Sequence, residues 1–312
     1  MKTAVLFPGQ GSQIAGMGRD IYEENLAARK IYDQADEALG QALSALCFEG
    51  PQELLNLTAN TQPALLATSA ALTSALLDRV DIEINWVAGH SLGEYTALWL
   101  AGALDIRTAI RLVRDRGEAM QTATPEGVGA MAAIMGLEPE VIDSICREAA
   151  RDEIVSPANF NAPGQIVISG HRGAVERAVT LAQTKGSRKS ILLPVSAPFH
   201  CALMQPAADF MQSVLALAPV SEAAVPVICN VTAQPIAPGA DSIRNALVQQ
   251  ITKPVQWIAS IQTMVDQGVE LFLEIGPGKV LTNLVKRIAP DVQRMTVSDH
   301  TDIQKFIDFL WN

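Results

Sequence analysis

The segment Gly89–Gly93, with the sequence GHSLG, limits more than any other feature what this chain can fold into. An apolar, strand-like run (Asn85–Ala88) precedes it, and a helical pattern (Leu92–Leu100) follows it. A serine between two glycines at a strand-to-helix turn is presented at the head of the helix, where N–H groups and the helix dipole favour an oxyanion. The pattern therefore predicts an α/β fold with Ser91 as a nucleophile. The alternative is a serine that only caps the helix.

Composition excludes several classes of protein. The 312 residues are 49% apolar and 18% charged, so the chain can bury a large core and disorder is not expected. The net charge of −10 argues against nucleic acid and anionic membranes as partners, because both attract cationic faces. The longest apolar stretch, Ala64–Leu77, is too short and too polar to span a bilayer. Cysteines without a C-x-x-C pair indicate free thiols in a cytoplasmic protein.

The middle of the chain has its own order of elements, β-α-β-β-α-β, which is typical of a ferredoxin-like unit. We predict these elements over residues 130–135, 139–150, 154–160, 165–169, 173–185 and 191–195. Helices and strands of a larger α/β body stand on either side. The unit is therefore predicted to be an insertion, with a subdomain over 127–196 and a larger domain formed by 1–126 and 197–312.

A serine hydroxyl needs a base to act as a nucleophile, and histidine suits because its pKa lies near neutrality. His90 lies in the turn itself, His171 begins a polar helix, and His300 lies in a charged stretch. His200 ends the loop SAPFH, where the chain leaves the insertion and rejoins the larger domain. Because a loop at a domain junction faces the cleft, His200 is the predicted base. The alternative is a core histidine bonded to the backbone.

Arg116 is predicted to lie on the buried face of a helix. In Ile106–Met120, helical spacing places Arg116 on the apolar stripe, whereas Arg111 and Arg114 fall outside it. A buried charge without a partner is costly, so we expect an anion beside the guanidinium. That anion is either a structural Asp or Glu or a substrate carboxylate held by two hydrogen bonds.

The glycine-rich segments do not fit a nucleotide phosphate site. Gly9–Gly11 is followed by Ile14 where a dinucleotide fingerprint needs its third glycine, and Gly276–Lys279 lacks the upstream glycine of a P-loop. The first of these loops can instead place a backbone N–H near Ser91. No H-E-x-x-H motif or carboxylate cluster indicates a catalytic metal, and we expect no cofactor.

Several separate motifs occur together and in register along the chain. They are PGQGSQ at 8–13, GHSLGEY at 89–95, the helix of Arg116, NFNAPGQ at 159–165 and EIGPGK at 274–279. In this combination the chain resembles the malonyl-CoA:acyl-carrier-protein transacylase family, and the likeness covers essentially the whole sequence. The resemblance implies an α/β-hydrolase-like core with an inserted ferredoxin-like subdomain.

The resemblance also implies a two-step transfer. Ser91, activated by His200, would take malonyl from malonyl-CoA and pass it to the phosphopantetheine thiol of an acyl carrier protein, for fatty-acid or polyketide synthesis. Further implied contacts are the Gln250 backbone carbonyl on the histidine, the N–H groups of Gln10 and Leu92 on the oxyanion, and Arg116 on the malonyl carboxylate.

Phe199 stands immediately before this histidine and is implied to tune the choice of acyl group. In related acyltransferase domains, phenylalanine here accompanies malonyl and serine accompanies bulkier α-branched units. We therefore expect an α-methyl group to be poorly tolerated, with a discrimination of only ~1–3 kcal/mol for one methyl.

Two other functions fit parts of the sequence. A serine esterase or thioesterase of the α/β-hydrolase fold would also use Ser91, but its histidine usually comes late in the chain, which favours His300. A carrier-docking protein with a vestigial site is the non-enzymatic alternative, and the intact serine, histidine and arginine argue against it. Arg188-Lys189 and Lys286-Arg287 are candidates for carrier docking, although ordinary surface charge explains them more simply.

Overall fold

The computed structural model describes residues 1–195 and 197–311. The strands are β1 (Thr3–Phe7), β2 (Ile84–Gly89), β3 (Gly129–Met135), β4 (Val155–Ala162), β5 (Gln165–His171), β6 (Lys189–Leu192), β7 (Val227–Ile228), β8 (Leu271–Ile275) and β9 (Gln293–Val297). The helices are α1 (Arg19–Glu24), α2 (Leu26–Leu39), α3 (Leu43–Glu49), α4 (Gln52–Leu55), α5 (Thr58–Leu77), α6 (Gly93–Leu100), α7 (Ile106–Thr122), α8 (Pro139–Ala150), α9 (Arg172–Thr184), α10 (Gln205–Leu217), α11 (Ala240–Thr252), α12 (Trp257–Asp266), α13 (Val280–Ile288) and α14 (His300–Leu310), with a short 3₁₀ turn at Ala202–Met204.

A five-stranded parallel sheet forms the centre of the larger domain, in the order β7-β2-β1-β8-β9. Both β1 and β8 are buried at every residue, as expected for parallel strands covered on two faces. The carboxyl ends of parallel strands meet at one edge of the sheet, where ligands of α/β proteins bind. The loops after β1, β2 and β7 bring Gln10, Ser91 and Asn230 to this edge.

A four-stranded antiparallel sheet, in the order β4-β5-β3-β6, forms the second unit. Together with α8 and α9 it has the chain order β-α-β-β-α-β, and a core of its own that includes Ile134, Ile145 and Ile168. Strand order and strand directions are those of a ferredoxin-like unit. The predicted fold, an α/β-hydrolase-like core with a small subdomain of this type, is confirmed.

Two helix limits differ from the sequence pattern. Because proline suits the first helical position, the pattern predicts a helix that begins at Pro63, but α5 begins at Thr58 and Pro63 lies inside it. The Thr61 N–H bonds to the Leu57 carbonyl and closes the first turn before the proline is reached. The pattern around Ile21–Leu39 predicts one helix, but the structure divides it at Asn25 into α1 and α2.

Helix α5 crosses the centre of the larger domain. It is buried from Thr61 to Thr73, and it packs against α2 and α7. This burial explains the apolar stretch Ala64–Leu77 as a core helix. Across the described ranges, the structure has no helix that is long enough and apolar enough to cross a membrane.

Three elements near the end of the chain were not expected from the sequence pattern, namely α13, β9 and α14. Strand β9 pairs only with β8 in the sheet order, and most of its side chains are partly or fully exposed. An edge strand of this kind lacks the continuous apolar run of a central parallel strand. Its signal in the sequence is correspondingly weak.

Candidate active site

Ser91 lies at the sharp turn between β2 and α6. Its φ angle is 51°, in the left-handed region that residues other than glycine rarely adopt. Glycine is required on both sides of the turn. A Cβ atom at Gly89 would lie 1.9 Å from the Gly93 carbonyl carbon, and one at Gly93 would lie 2.2 Å from the Phe7 carbonyl oxygen. The strained backbone presents Ser91 at the amino end of α6.

Asn230, which follows the neighbouring strand β7, holds this turn in place through two hydrogen bonds. Its Oδ1 accepts a hydrogen bond from the Ser91 N–H over 2.7 Å, and its Nδ2 donates to the Gly89 carbonyl over 2.7 Å. Asn230 is fully buried, so breaking either bond would leave a buried polar group without a partner. The Ser91 N–H is therefore occupied and does not face a substrate oxygen.

The hydroxyl of Ser91 is paired with a histidine. Ser91 Oγ lies 2.8 Å from Nε2 of His200, and Nδ1 of the same ring lies 2.8 Å from the Gln250 backbone oxygen. Because a carbonyl oxygen only accepts, Nδ1 carries the proton and Nε2 is the acceptor for the serine hydroxyl. His200 can therefore take the serine proton. The carbonyl occupies the place that a carboxylate has in a Ser-His-Asp triad.

His200 is held in its neutral form. The side chain is buried, and burial, followed by the charge of Arg116, lowers its pKa to about 3. The hydrogen bond to Gln250 acts in the opposite direction and offsets only part of this shift. The neutral ring leaves the lone pair of Nε2 free to accept the hydrogen bond of the serine hydroxyl.

Arg116 is buried beside the serine, with 1% of its surface exposed. Its Nη2 donates to Ser91 Oγ over 3.1 Å and to Gln250 Oε1 over 2.8 Å. Its Nη1 donates to Gln62 Oε1 over 2.8 Å, and the guanidinium carbon lies 5.6 Å from the ring centroid of Tyr95. All these partners are neutral, and Arg116 forms no ion pair within the described part of the chain. A ligand carboxylate would supply the direct anionic partner that the cation lacks.

A cavity opens at the carboxyl edge of the parallel sheet, and both units contribute to it. Its lining residues are Gln10, Gln62, His90, Ser91, Leu92, Arg116, Met120, Met131, Asn159, Leu193, Val195, Phe199 and His200. The backbone N–H groups of Gln10 and Leu92 donate no hydrogen bond to any group in residues 1–195 and 197–311. One hydroxyl thus shares the cavity with a histidine, an arginine and two N–H donors, and a hydroxyl, a base and N–H donors together are suited to acyl transfer.

The other histidines have separate partners. Nε2 of His90 lies 2.8 Å from Oδ1 of Asn161, and burial lowers the pKa of His90. Nδ1 of His171 accepts a backbone N–H. Nδ1 of His300 lies 3.1 Å from the Glu24 carboxylate at the surface. The late histidine that the esterase hypothesis favours therefore lies beside a surface carboxylate and does not line the cavity with Ser91.

Comparison with known proteins identifies the family. Residues 5–303 match a family model described as an acyl transferase domain. The chain is 46% identical over 310 residues to the malonyl CoA-acyl carrier protein transacylase of Bacillus subtilis (strain 168), and the match covers 99% of this chain and 97% of that protein. The chain belongs to the malonyl CoA-acyl carrier protein transacylase family. The resemblance seen in the sequence is thereby confirmed.

Solved structures of this transacylase family share the fold. An acyl-carrier-protein-S-malonyltransferase from Bartonella henselae has a TM-score of 0.96 and 44% sequence identity, and the match covers 100% of both chains. A malonyl-transacylase solved in complex with its type II PKS acyl-carrier protein has a TM-score of 0.97 and 44% identity, over 99% of this chain and 100% of that one.

Three polar residues of this transacylase site were not identified from the sequence, namely Gln62, Glu94 and Asn230. Glu94 directly follows the GHSLG segment, and Asn230 follows β7 at the carboxyl edge of the sheet, so both positions offered a signal. Gln62 offered none, because α5 is buried along most of its length and its polar residues do not mark one face.

One basic pair considered for carrier docking has a structural role in this transacylase. Arg287 donates hydrogen bonds to the Gln165 side chain and to the Pro163 carbonyl, and so links α13 to the turn between β4 and β5. Arg287 is thus bonded within the chain, a role that neither explanation of the pair included, and carrier docking through Lys286-Arg287 stays a prediction. The residues that the structure describes contain no group of three or more His, Cys, Asp and Glu side chains that could hold a metal ion.

Proposed function

We propose that this transacylase moves a malonyl group from malonyl-CoA to the phosphopantetheine thiol of an acyl carrier protein, through a malonyl ester of Ser91. In the first step, Ser91 Oγ attacks the thioester carbonyl carbon while Nε2 of His200 takes the hydroxyl proton. The carbon–sulfur bond then breaks, and His200 returns the proton to the departing CoA thiolate. The malonyl group stays on Ser91.

The second step repeats this chemistry with the carrier thiol. The thiol gives its proton to His200 and attacks the ester carbonyl, the bond to Oγ breaks, and Ser91 recovers the proton. In both steps the oxyanion of the tetrahedral intermediate would accept hydrogen bonds from the N–H groups of Gln10 and Leu92. Loss of one such donor in other serine enzymes costs ~10²–10³ in kcat.

The observation that supports malonyl, rather than a neutral acyl group, is the buried guanidinium of Arg116. It already touches Ser91 Oγ over 3.1 Å. A malonyl ester on Oγ carries its carboxylate one methylene away from the ester carbonyl, which brings that carboxylate to the cation. Arginine holds a carboxylate with two parallel hydrogen bonds. The names of the relatives, and the one solved with a carrier protein, support the same donor and acceptor.

Phe199 supports a preference against α-branched acyl groups. It lines the cavity next to His200 and is 8% exposed, so its ring fills space that an α-methyl group would need. A closely packed apolar wall rejects extra volume because neighbouring side chains must move. The proposed substrate is therefore malonyl-CoA rather than methylmalonyl-CoA.

Incubation with malonyl-CoA followed by mass spectrometry tests the proposal. We expect the protein to gain one malonyl group on Ser91, to retain it in water, and to lose it when holo acyl carrier protein is added. Ser91→Ala should gain none. Rapid release of free malonate without carrier would support the thioesterase alternative, and unchanged transfer by Ser91→Ala would support a docking protein with a vestigial site.

The proposal extends to domain limits and location. The catalytic domain comprises 1–126 and 197–312, and the subdomain comprises 127–196. The span of the second sheet, from β3 to β6, supports these limits, whereas residues 196 and 312 themselves lie outside the described ranges. A cytoplasmic location is supported by the four cysteines, which are free and buried.

A further inference from the structure

Glu94 is fully buried next to the turn between β2 and α6 that carries Ser91, and it has no role in the steps above. Its Oε2 accepts a hydrogen bond from Gln250 Nε2 over 2.6 Å and from the Asn230 N–H over 3.2 Å. Both partners in turn contact the reacting groups. Gln250 accepts from Arg116, and Asn230 accepts from the Ser91 N–H.

We propose that Glu94 is a positioning residue of the transacylase, which orients Gln250 and Asn230 and, through them, Arg116 and Ser91. The proposal rests on malonyl transfer as the function of this site. Glu94 does not touch the reacting atoms itself. It fixes the positions in which the Arg116 guanidinium and the Ser91 hydroxyl contact the malonyl group.

The side-chain amide of Gln250 shows why a hydrogen-bond acceptor is needed at this place. The amide has an oxygen and an NH₂ group, and only the oxygen can accept from the Arg116 guanidinium. Because a carboxylate oxygen accepts, Glu94 attracts the NH₂ group, which also donates to the Ser91 carbonyl over 2.9 Å. The amide oxygen is thereby left facing Nη2 of Arg116, 2.8 Å away. Without an acceptor at Glu94, the amide loses the shorter of the two acceptor bonds that select this orientation.

The hydrogen bonds at Glu94 are compatible with either protonation state. Both go to Oε2, whereas Oε1 is buried and has no hydrogen-bond partner among the described residues. Burial raises the pKa of Glu94 to about 7, against the effect of its hydrogen bonds and of the Arg116 charge. A proton on Oε1 leaves both acceptor bonds at Oε2 intact. The length of the Glu94 side chain, rather than its charge, is therefore the property that positions Gln250.

Two conservative variants separate these properties. Glu94→Gln keeps the side-chain length and an acceptor oxygen but removes the carboxylate charge. Glu94→Asp keeps the carboxylate but shortens the side chain by one methylene. The kcat/KM values for malonyl-CoA and acetyl-CoA are measured for each, with thermal melts to compare folding. We expect the malonyl/acetyl ratio to fall about 10-fold or more in Glu94→Asp, and to stay within about 3-fold of the parent in Glu94→Gln, given the usual strength of a hydrogen bond to a charged group.

Glu274→Asp provides the matched control. Glu274 is equally buried, and its two carboxylate oxygens accept the N–H groups of Leu281 and Thr282 at the start of α13. Shortening it should lower the melting temperature without changing the malonyl/acetyl ratio. A structural effect alone would make Glu94→Asp behave like this control, and that result would overturn the proposal.

A double variant tests the path through Arg116. If Glu94 acts on malonyl selection by orienting the guanidinium, Glu94→Asp should not change the malonyl/acetyl ratio further in an Arg116→Ala background. A further fall of similar size would contradict this path, as would an equal loss in Glu94→Gln and Glu94→Asp. Malonyl labelling of Ser91 in the parent protein is measured first, so failure of the proposed function is recognised separately.

Discussion

Nη2 of Arg116 donates a hydrogen bond to Oγ of Ser91 over 3.1 Å, while Nε2 of His200 lies 2.8 Å from the same oxygen. The serine hydroxyl thus lies between a cation and a neutral base before any substrate is bound. An acyl group that brings a carboxylate gives this cation an anionic partner, whereas an acetyl group leaves it with neutral partners only. The proposed discrimination between acyl groups therefore takes place at Ser91 itself.

Replacing Arg116 should reduce malonyl transfer and narrow the preference for malonyl over acetyl. A hydrogen bond to a charged group contributes about 1.5–3 kcal/mol, so loss of two should lower kcat/KM for malonyl-CoA by about 100-fold or more in Arg116→Ala. Acetyl transfer lacks those bonds and should change much less. Steady-state kinetics with both thioesters measures the ratio.

Arg111→Ala is the control for this prediction. Arg111 lies on the same helix, is exposed, and donates to the Ala38 carbonyl away from the site. Its replacement should leave the malonyl/acetyl ratio unchanged. An unchanged ratio in Arg116→Ala would contradict the assignment of Arg116 to the malonyl carboxylate.

Acylation of Ser91 should not slow as the pH falls through the usual pKa of histidine. The ordinary value of 6.5 is lowered to about 3 for His200, so the ring remains a neutral base throughout this interval. Rapid-quench measurement of malonyl-enzyme formation should show less than a roughly two-fold change between about pH 5 and about pH 7.5. A rate that halves near the ordinary histidine pKa would show that His200 titrates as an exposed ring.

Glu94 should make the folded protein less stable, relative to Glu94→Gln, as the pH rises towards neutrality. Its pKa is raised from 4.5 to about 7 on folding, so the folded state binds more protons between these values. The unfolding free energy of the parent should therefore fall with rising pH, by about 3 kcal/mol in total from this group.

Urea unfolding of the parent and of Glu94→Gln, at about pH 5 and about pH 7.5, measures this difference. The comparison isolates Glu94, because all other titrating groups are common to both proteins. A stability difference that stays constant over the interval would contradict a raised pKa.

Replacing Phe199 with serine should let the protein use methylmalonyl-CoA more efficiently relative to malonyl-CoA. The kcat/KM ratio of methylmalonyl-CoA to malonyl-CoA should rise by about 10-fold or more, in keeping with the usual discrimination of one methyl group. Phe210→Ser is the control, since Phe210 is 49% exposed on α10 and does not line the cavity. Equal ratios in the parent and Phe199→Ser would show that another residue limits the pocket.

The sequence indicates the main reacting groups because each one leaves a local signal. Ser91 is marked by glycines that a strand-to-helix turn requires, and Arg116 by its position on an apolar helical stripe. His200 is marked by its loop at the junction of two units. In the structure, Arg116 and His200 both lie within hydrogen-bond distance of Ser91 Oγ.

The sequence does not show which residues orient these groups, even where a position such as Glu94 is marked by a nearby motif. Glu94 is bonded to Asn230 and to Gln250, each more than a hundred positions away in the sequence. Helical or strand periodicity predicts which face is buried, but not which distant polar group will lie opposite a given side chain. Gln62 is the extreme case, because nothing in the sequence of the buried helix α5 distinguishes this amide from the helix's other polar residues. Such partners follow from tertiary packing.

The hydrogen bond between His90 and Asn161 has a consequence for recombination between relatives. Strand β4, which carries Asn161, is also bonded to the larger domain through the Phe160 N–H and the Val255 carbonyl. The inserted unit is therefore bonded to the larger domain and cannot be replaced independently of it. A chimaera that takes it from another member of the family must inherit a matching partner for the residue preceding the nucleophile, so the two segments are expected to be exchanged together.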